Sequence, residues 1–266
     1  MFKNLYKYRF LMKEIIRKNI KLQYRGSVLG VFWTFLQPLM TVIVLVLIFG
    51  NLLGRNLDRV VNYPIYLLCG RLIYEFYSQS TKRAMRSIFN SASVIKKVYV
   101  PKYIYPLSNT ASTFVTFCVS LLVLVIFILY YYFFSDRPPN ITPYILLSWV
   151  PLLILFVLSL GVGLILSIAQ VFFRDVEYFY EVFCMLLFYI TPVFYDVEQL
   201  GLGRMGKMLI MSNPLYAIVT MFRDCVLFGQ MWDWRLFLYA AAFSLSVLGL
   251  GILVFWRKQV KLILHL

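Results

Sequence analysis

Six long apolar runs constrain the fold of this chain more than any other feature of its sequence. A helix that crosses the hydrocarbon core of a bilayer needs about 20 mostly apolar residues. Such runs cover residues 28–49, 63–80, 104–134, 144–172, 178–195 and 236–256. Hydrophobic residues make up 62% of the chain and charged residues 14%, whereas soluble domains carry about 45–50% and about 25%. The sequence therefore predicts an all-α integral membrane protein with six transmembrane helices.

The distribution of basic residues predicts which side of the membrane each loop occupies. Six spans place both termini on one side, and 18 of the 26 Lys and Arg residues fall on that side. Cytoplasmic loops carry the excess of Lys and Arg in membrane proteins. We therefore expect a multi-pass membrane protein with cytoplasmic termini. The same distribution accounts for most of the net charge of +15, so no nucleic-acid partner is needed to explain it.

The whole chain, residues 1–266, is predicted to form a single transmembrane domain. Its parts are an amphipathic interfacial helix (1–27), the six-span bundle (28–256) with a cytoplasmic loop (82–103) and an extracellular re-entrant or loop region (190–235), and a cytoplasmic tail (257–266). The fifth run contains Pro192, which predicts a kinked or broken helix at that point.

A glycine-rich stretch, GLGRMGKM at residues 201–208, has the spacing of a dinucleotide fingerprint and nearly that of a phosphate loop. A phosphate loop follows a strand and uses a Ser or Thr hydroxyl to hold magnesium. Here a membrane run comes before it, Met208 replaces the hydroxyl, and the stretch lies on the outer side. We interpret the glycines as a turn. The four scattered cysteines and the single His265 give no metal spacing, so we expect no cofactor, metal or catalytic residue in this chain.

The first 25 residues show an amphipathic pattern at about 100° per residue. Lys and Arg side chains cluster on one face, and Leu, Met and Ile side chains cluster on the other. A basic helix of this kind lies in the membrane interface with its cations toward anionic headgroups. The pattern fits a surface anchor, and it also fits a helix that packs against a protein partner.

The loop after the second run contains a predicted short helix. Ser91 or Ser93 can cap it, and Pro101 ends it. Its expected surface combines apolar Ile95 and Val98 with basic Lys96 and Lys97. Such a helix suits docking into a groove on another protein. A solvated loop without a partner is the alternative.

Arg71 and Glu75 are four residues apart in the second run, so they share a helical face and are expected to pair. Intramembrane charge points to function, but we place both residues in the outer part of the span, where mutual neutralisation or snorkelling competes with a transport role. The other spans are rich in aromatic residues and nearly free of ionisable ones, which argues against a proton- or sodium-coupled carrier. The aromatics fit either an interfacial belt or the lining of a passage for sugar rings.

Several collinear stretches resemble the membrane subunits of ABC-type polysaccharide exporters, which move O-antigen, capsule or teichoic acid chains. The stretches are KLQYRGSVLGVFWTFLQPL at 21–39, pieces of 84–107 including VIKKVYVPKY at 94–103, FRDV at 173–176, TPVFY at 191–195, and NPL at 213–215 followed by Arg223. They extend over nearly the whole chain, which makes the resemblance specific. The second run departs from the family pattern, because YEFY at 74–77 replaces a Trp-Asn-Phe-Phe type of stretch and Arg71 adds a charge.

The resemblance implies an ABC-2 exporter architecture, in which a homodimer of this subunit encloses a channel above two copies of a separate ATPase that binds ATP and magnesium. By position, residues 82–103 are the coupling loop of the family. Its coupling segment, which docks on the ATPase, comprises Asn90, Val94, Ile95, Lys96, Lys97, Val98, Pro101 and Lys102. The basic helix resembles a gate where membrane lipids and a polyprenyl-diphosphate-linked glycan approach, with Arg17, Lys18, Lys21, Tyr24 and Arg25 as its candidate residues. The candidate channel aromatics are Trp33, Tyr74, Tyr77, Tyr189, Phe194 and Tyr195.

The implied function is ATP-driven export of a lipid-linked polysaccharide of the O-antigen, teichoic acid or capsule type across the bacterial cytoplasmic membrane. An exporter of a drug or small lipid is the first alternative, because it shares the architecture. A membrane-embedded transferase that acts on lipid-linked sugar is less favoured, because the acids of the outer loops form no recognisable pair. A pure scaffold is a third alternative.

Overall fold

The computed structural model describes residues 6–23, 25–48, 62–97, 100–134, 138–197, 201, 203–259 and 262. Most of these residues are helical and no strand occurs among them, which confirms the all-α class. The helices are α1 (Arg9–Gln23), α2 (Trp33–Val46), α3 (Tyr63–Asn90), α4 (Ala92–Ile95), α5 (Ile104–Phe134), α6 (Trp149–Phe172), α7 (Val176–Ile190), α8 (Arg204–Met211), α9 (Pro214–Arg223) and α10 (Trp234–Lys258). The 3₁₀ turns Gly30–Phe32 and Pro143–Ser148 come before α2 and α6, and the π-helical turn Asp224–Phe228 follows α9.

Local sequence signals set the first residues of several helices. Pro64 lies in the first turn of α3 and Pro214 begins α9, where the helix does not require an N–H group. The Asn213 side chain accepts a hydrogen bond from the backbone N–H of Leu215. Asp233 caps α10 in the same way. These caps satisfy backbone donors that have no partner within the helix.

Three helical segments are long and apolar enough to cross a membrane, namely Ile104–Phe134, Pro143–Phe172 and Trp234–Lys258. They coincide with the third, fourth and sixth predicted spans. α3 is 28 residues long but more polar, and α2 and α7 are shorter, at 14 and 15 residues. These three helices occupy the positions of the other predicted spans. The count of six crossings therefore stays a prediction.

α7 ends at Ile190, where the backbone of Thr191 becomes extended and Pro192 contributes no N–H. The fifth run was predicted to be either kinked or broken, and in the structure the helix is broken. A helix of 15 residues is about 22 Å long, which is less than the hydrocarbon thickness of about 30 Å. The chain leaves α7 through residues 191–195, which we call the α7 loop.

α6 lies at the centre of the bundle, against α3, α5 and α10. Glycines allow this close packing. A Cβ atom on Gly161 would lie 2.7 Å from the backbone nitrogen of Leu248 in α10. A Cβ on Gly163 would lie 2.7 Å from the Cβ of Ala84 in α3. Small residues at such contacts let helix backbones approach each other where apolar burial alone gives little drive for association.

The buried side chains form two large clusters near opposite ends of the bundle. We call one end the basic end, where α3 and α6 finish and α5 begins, and the other the distal end, where α3 begins and α5 finishes. The basic-end cluster includes Ile88, Ile104, Ile168 and Phe255. The larger cluster extends from the middle of the bundle to the distal end and includes residues of the π-helical turn.

α1 lies on the surface of the basic end, and its helical prediction is confirmed. Tyr8, Met12 and Ile15 pack against the basic-end cluster. Asn19 Nδ2 donates a hydrogen bond of 3.2 Å to Asn109 Oδ1 of α5. The apolar face of α1 therefore contacts its own chain, which leaves the basic face outward.

Candidate functional site

The predicted helix in the coupling loop is present as the single turn α4. Ser91 is its first capping residue, although its side chain makes no cap hydrogen bond. The side chain of Val94 is 45% exposed, and those of Lys96 and Lys97 are exposed beside it. The prediction that Ile95 lies on the outer surface of the short helix is wrong, because this side chain is only 9% exposed and packs in the basic-end cluster. One apolar residue thus anchors α4 to the bundle while its neighbours face outward.

The rest of the predicted coupling segment borders the same cluster. Asn90 is exposed at the end of α3, and Pro101 is half-buried. The ammonium group of Lys102 donates a hydrogen bond to the backbone carbonyl of Gln259, just after α10. Burial lowers the pKa of Lys102. Val98 lies outside the described residues. Lys102 therefore ties this segment to the end of α10 and does not extend outward.

The cations of the candidate gate lie on the outer face of α1 and just after it. Lys18, Lys21 and Arg25 are exposed. Arg17 is also exposed and forms a 3.1 Å ion pair with Glu14 one turn earlier. Tyr24 lies outside the described residues. The structure thus places the described gate residues on one basic surface at the edge of the bundle.

An ion-pair network that the sequence analysis missed joins α3 to α7 at the basic end. Arg86 Nη2 lies 2.5 Å from Glu177 Oε1 and 3.0 Å from Glu181 Oε1. Gln170 of α6 donates a 2.5 Å hydrogen bond to the other oxygen of Glu177. The spacing of Glu177 and Glu181, one turn apart, is the signal that could have indicated a shared partner.

Tyr74 and Tyr77 are buried between α3 and α7, and their assignment as channel aromatics stays a prediction. Both are buried, with 8% and 5% of their surface exposed. The hydroxyl of Tyr74 donates to the backbone carbonyl of Cys184 in α7. Near it, the hydroxyl of Tyr180 donates to Thr81 Oγ1 over 2.7 Å. These tyrosines hold α3 and α7 together.

Three of the other candidate aromatics meet at the distal end. The Phe194 ring centroid lies 6.5 Å from that of Tyr189 and 5.2 Å from that of Tyr195. The Tyr195 hydroxyl donates to the carbonyls of Tyr189 and Ile190, over 2.8 Å and 3.0 Å. Tyr189 is 56% exposed, so this cluster reaches the surface. Trp33, the first residue of α2, is 46% exposed.

The α7 loop is fixed by side chains from α3 and α9. Arg223 is 4% exposed and donates to the carbonyls of Pro192 (2.8 Å) and Val193 (2.9 Å). It also donates two hydrogen bonds to the carbonyl of Tyr66, and its guanidinium carbon lies 3.4 Å from the centroid of the Tyr66 ring. A Cβ on Gly70 would lie 2.6 Å from Arg223 Nη2, so only glycine leaves room there.

The next two carbonyls of the loop are bound as well. The Tyr63 hydroxyl donates to the carbonyl of Phe194 over 3.1 Å, and the Tyr66 hydroxyl donates to that of Tyr195 over 3.0 Å. Asn213 Nδ2 donates to Thr191 Oγ1 over 2.9 Å. We call this arrangement the Arg223 clamp. It satisfies four consecutive loop carbonyls and brings together the TPVFY stretch and the NPL stretch with its following arginine.

Comparisons with known proteins show the family to which this chain belongs. The family model described as ABC-2 type transporter matches residues 11–227, which is well over half of the 266-residue chain. The chain belongs to the ABC-2 type transporter family. The resemblance recognised from its sequence stretches is thereby confirmed, and the matched region extends from α1 through the Arg223 clamp.

Several relatives match this ABC-2 family chain over almost its full length. It is 29% identical over 248 residues to the O-antigen export system permease protein RfbA of Klebsiella pneumoniae, which covers 91% of this chain and 90% of that protein. It is 26% identical over 257 residues to the RfbA protein of Myxococcus xanthus, with 97% and 95% covered. It is 21% identical over 255 residues to the polysialic acid transport protein KpsM of Escherichia coli, with 93% of each covered.

Proposed function

We propose that this chain is the permease subunit of an ATP-driven exporter that moves a lipid-linked polysaccharide across the bacterial cytoplasmic membrane. One observation carries the proposal. Relatives named for O-antigen export and polysialic acid transport align with more than 90% of this chain. The chain contributes no catalysis in this account, and its role is to form half of a conduit.

A separate ATPase supplies the energy in this proposal. The glycine-rich stretch is the part of the sequence nearest to a phosphate loop, and it leads into α8, a helix of only eight residues. Gly201 adopts a left-handed φ of +57°, as a turn requires, and residues 191–197 before it form no strand. Two copies of the permease and two ATPase subunits then form the transporter, with ATP and magnesium on the ATPase.

The basic end faces the cytoplasm in this account, because it carries the excess of Lys and Arg that cytoplasmic surfaces have. Both termini and α4 then lie on the ATPase side. Val94, Lys96 and Lys97 form the exposed docking surface of α4. Ile95 connects this surface to the ends of α3, α5, α6 and α10 through the basic-end cluster. A push on α4 is therefore transmitted to four helices at once.

The glycan approaches from the inner leaflet beside α1. Lys18, Lys21 and Arg25 attract its diphosphate, since exposed cations near a membrane surface favour anionic headgroups. Arg17 contributes less in this account because Glu14 partly neutralises it. At the distal end, the exposed ring of Tyr189 with Phe194 and Tyr195 offers aromatic faces to the emerging sugar chain.

Membrane vesicles that contain both subunits test the proposal. We expect ATP-dependent movement of a polyprenyl-diphosphate-linked glycan into the lumen, and no comparable movement of small hydrophobic molecules. Reversal of charge at Lys96 and Lys97, both to Glu, is expected to reduce this flux at least tenfold by weakening the ATPase contact. Lys258→Glu is the matched control, because it removes an exposed cation from the same end without changing α4.

Flux of a drug-like molecule in place of the glycan would assign the chain to the other branch of exporters. Normal glycan flux in the Lys96→Glu, Lys97→Glu variant would remove α4 from the ATPase contact.

A further inference from the structure

A polar cleft opens between α2, α3 and α5, in a part of the bundle where an apolar surface is expected. It has a volume of about 50 Å³, and eight of its twelve lining residues are polar. Most of the cleft lies along the middle of the helices. Glu75 is 12 residues from Tyr63 and 15 from Asn90, near the centre of α3. This position corrects our placement of Glu75 in the outer part of its span, because α3 continues well beyond the predicted run.

Glu75 organises the polar groups of the cleft. Its Oε1 atom accepts hydrogen bonds from Gln79 Nε2 (2.9 Å) and Gln37 Nε2 (3.3 Å). Its Oε2 atom lies 3.5 Å from Arg71 Nε, so the predicted pairing with Arg71 is present. The side chain of Glu75 remains 17% exposed. A carboxylate offers about four acceptor positions, and these contacts leave it able to accept further donors from a ligand.

α2 contacts the cleft through polar groups as well. Pro38 lies within α2 and cannot supply the N–H that normally bonds the carbonyl of Thr34. Ser120 of α5 donates to that carbonyl over 3.3 Å. Ser120, Thr34 and Thr116 line the cleft beside the two glutamine amides. The cleft thus combines a carboxylate, amides and hydroxyls, which together match the alternating donors and acceptors of sugar hydroxyl groups.

The end of the cleft that is nearer to the basic end of the bundle adjoins the candidate gate. Gln23, the last residue of α1, lines the cleft and accepts a 2.9 Å hydrogen bond from Arg83 Nη1. Lys21 and Arg25 lie within two residues of Gln23 in the chain. A diphosphate held by these cations therefore has its attached sugar next to the mouth of the cleft. The volume suits the hydroxyl-bearing edge of a sugar better than a complete buried ring, since it equals that of a few water molecules.

We propose that this cleft binds hydroxyl groups of the sugar units nearest the lipid diphosphate, with Glu75 as the principal acceptor and Gln37 and Gln79 as its partners. Intramembrane ionisable residues generally face water-filled cavities and mark substrate paths. The proposal rests on the proposed function and deepens it, because it separates recognition of the sugar from recognition of the diphosphate. Glu75 is then a residue that determines specificity for the glycan.

Glycan saturation in vesicles that contain the complete transporter tests the cleft. Two probes are compared, the lipid-linked glycan and the same polyprenyl diphosphate without its glycan, and each is followed by the ATPase activity that it stimulates. Glu75→Gln and Gln37→Leu are expected to raise the half-saturating concentration of the glycan probe roughly tenfold, since hydrogen bonds to a charged acceptor are among the stronger ones. The bare carrier is expected to saturate as in the wild type.

Thr41→Val is the matched control. Thr41 lies one turn from Gln37 on α2, bonds only the carbonyl of Gln37 among the contacts described, and does not line the cleft. An unchanged glycan response in both cleft variants, or an equal shift for both probes, would overturn the cleft assignment while leaving the exporter intact. A wild-type transporter that exports no glycan at all would reject the proposed function, and the cleft assignment with it.

Discussion

The Arg223 clamp and the Glu75 cleft are two polar regions along the same helix, and they differ in how completely their polar groups are satisfied. Arg223 is 4% exposed, donates four hydrogen bonds to three carbonyls and has no free space beside Gly70. Glu75 is only five residues after Gly70 in α3, but it borders an open volume of about 50 Å³. A saturated polar group fixes architecture, whereas a polar group beside open volume can exchange partners.

This contrast assigns different tasks to the two halves of α3. In its first two turns, Tyr63 and Tyr66 bind the α7 loop, and Gly70 leaves room for the guanidinium group of Arg223. Its middle turns offer Glu75 and Gln79 to the cleft. Substitutions in the clamp should therefore act on stability, and substitutions in the cleft should act on transport. Thermal unfolding of the purified protein in detergent separates the two.

Arg223→Met is expected to cause the largest loss of stability. It leaves the carbonyls of Tyr66, Pro192 and Val193 buried without the donors they now have. Each unsatisfied group costs about 1–3 kcal/mol, so a total of about 3 kcal/mol or more is expected. The Tm should then fall by roughly 6–12 °C. Arg223→Lys is the comparison variant, with an intermediate loss. A Tm within a degree of the wild type for Arg223→Met would show that the clamp is dispensable.

Gly70→Ala is expected to disturb the same clamp from the other side. The new methyl group meets Arg223 Nη2 at 2.6 Å and the Cα of Val193 at 3.0 Å, so the guanidinium or the loop must move. Overpacking of this kind costs about 1–3 kcal/mol. Gly249→Ala is the matched control, because nothing lies within 4 Å of its added Cβ and alanine favours the helix. Equal Tm values for Gly70→Ala and Gly249→Ala would show that the added methyl group at residue 70 does not disturb the clamp.

Tyr195→Phe removes one hydroxyl at the edge of the clamp. The carbonyls of Tyr189 and Ile190 lose a donor, and the ring contact with Phe194 remains. A loss of about 1 kcal/mol is expected, which corresponds to a few degrees in Tm. Tyr189→Phe, at a ring that is 56% exposed, should change the Tm less than Tyr195→Phe does. Equal shifts would mean that the Tyr195 hydroxyl does not hold the end of α7.

Glu75→Gln is expected to have the smallest effect on stability, below about 1 kcal/mol, because a glutamine oxygen can still accept from Gln37 and Gln79. The ion pair with Arg71 that it removes is long, at 3.5 Å, and its two side chains are partly exposed, so its loss costs little. Its effect on glycan saturation is expected to be roughly tenfold all the same. A loss of Tm as large as that of Arg223→Met would show that Glu75 stabilises the fold as the Arg223 clamp does. The two regions would then not differ in their roles.

Much of this fold follows from its sequence because periodicity and helix-ending residues are local signals. The amphipathic pattern before residue 25 identified α1, and Pro192 marked the end of α7. A short helix was correctly predicted after Ser91, although α4 ends at Ile95 and does not continue to Pro101. Signals of this kind need no knowledge of which helices are neighbours.

Contacts between distant segments could not be derived in the same way. Ile95 looked like part of a docking surface, because only the tertiary structure brings the ends of α5, α6 and α10 over it. The burial of Tyr74 and Tyr77 could not be foreseen either, because it depends on α7, which covers them. Arg223 was noted as part of a family stretch, but its four hydrogen bonds join segments 30 and 157 residues away.

The central claim is that this chain conducts a glycan and that another chain supplies the energy. Its most direct test is glycan flux and ATP hydrolysis measured together in three sets of vesicles, with the permease alone, the ATPase alone, and both. We expect glycan to cross the membrane only where both are present, and the permease alone to hydrolyse no ATP. ATP hydrolysis by the permease alone, or modification of the lipid-linked sugar by it, would contradict the account.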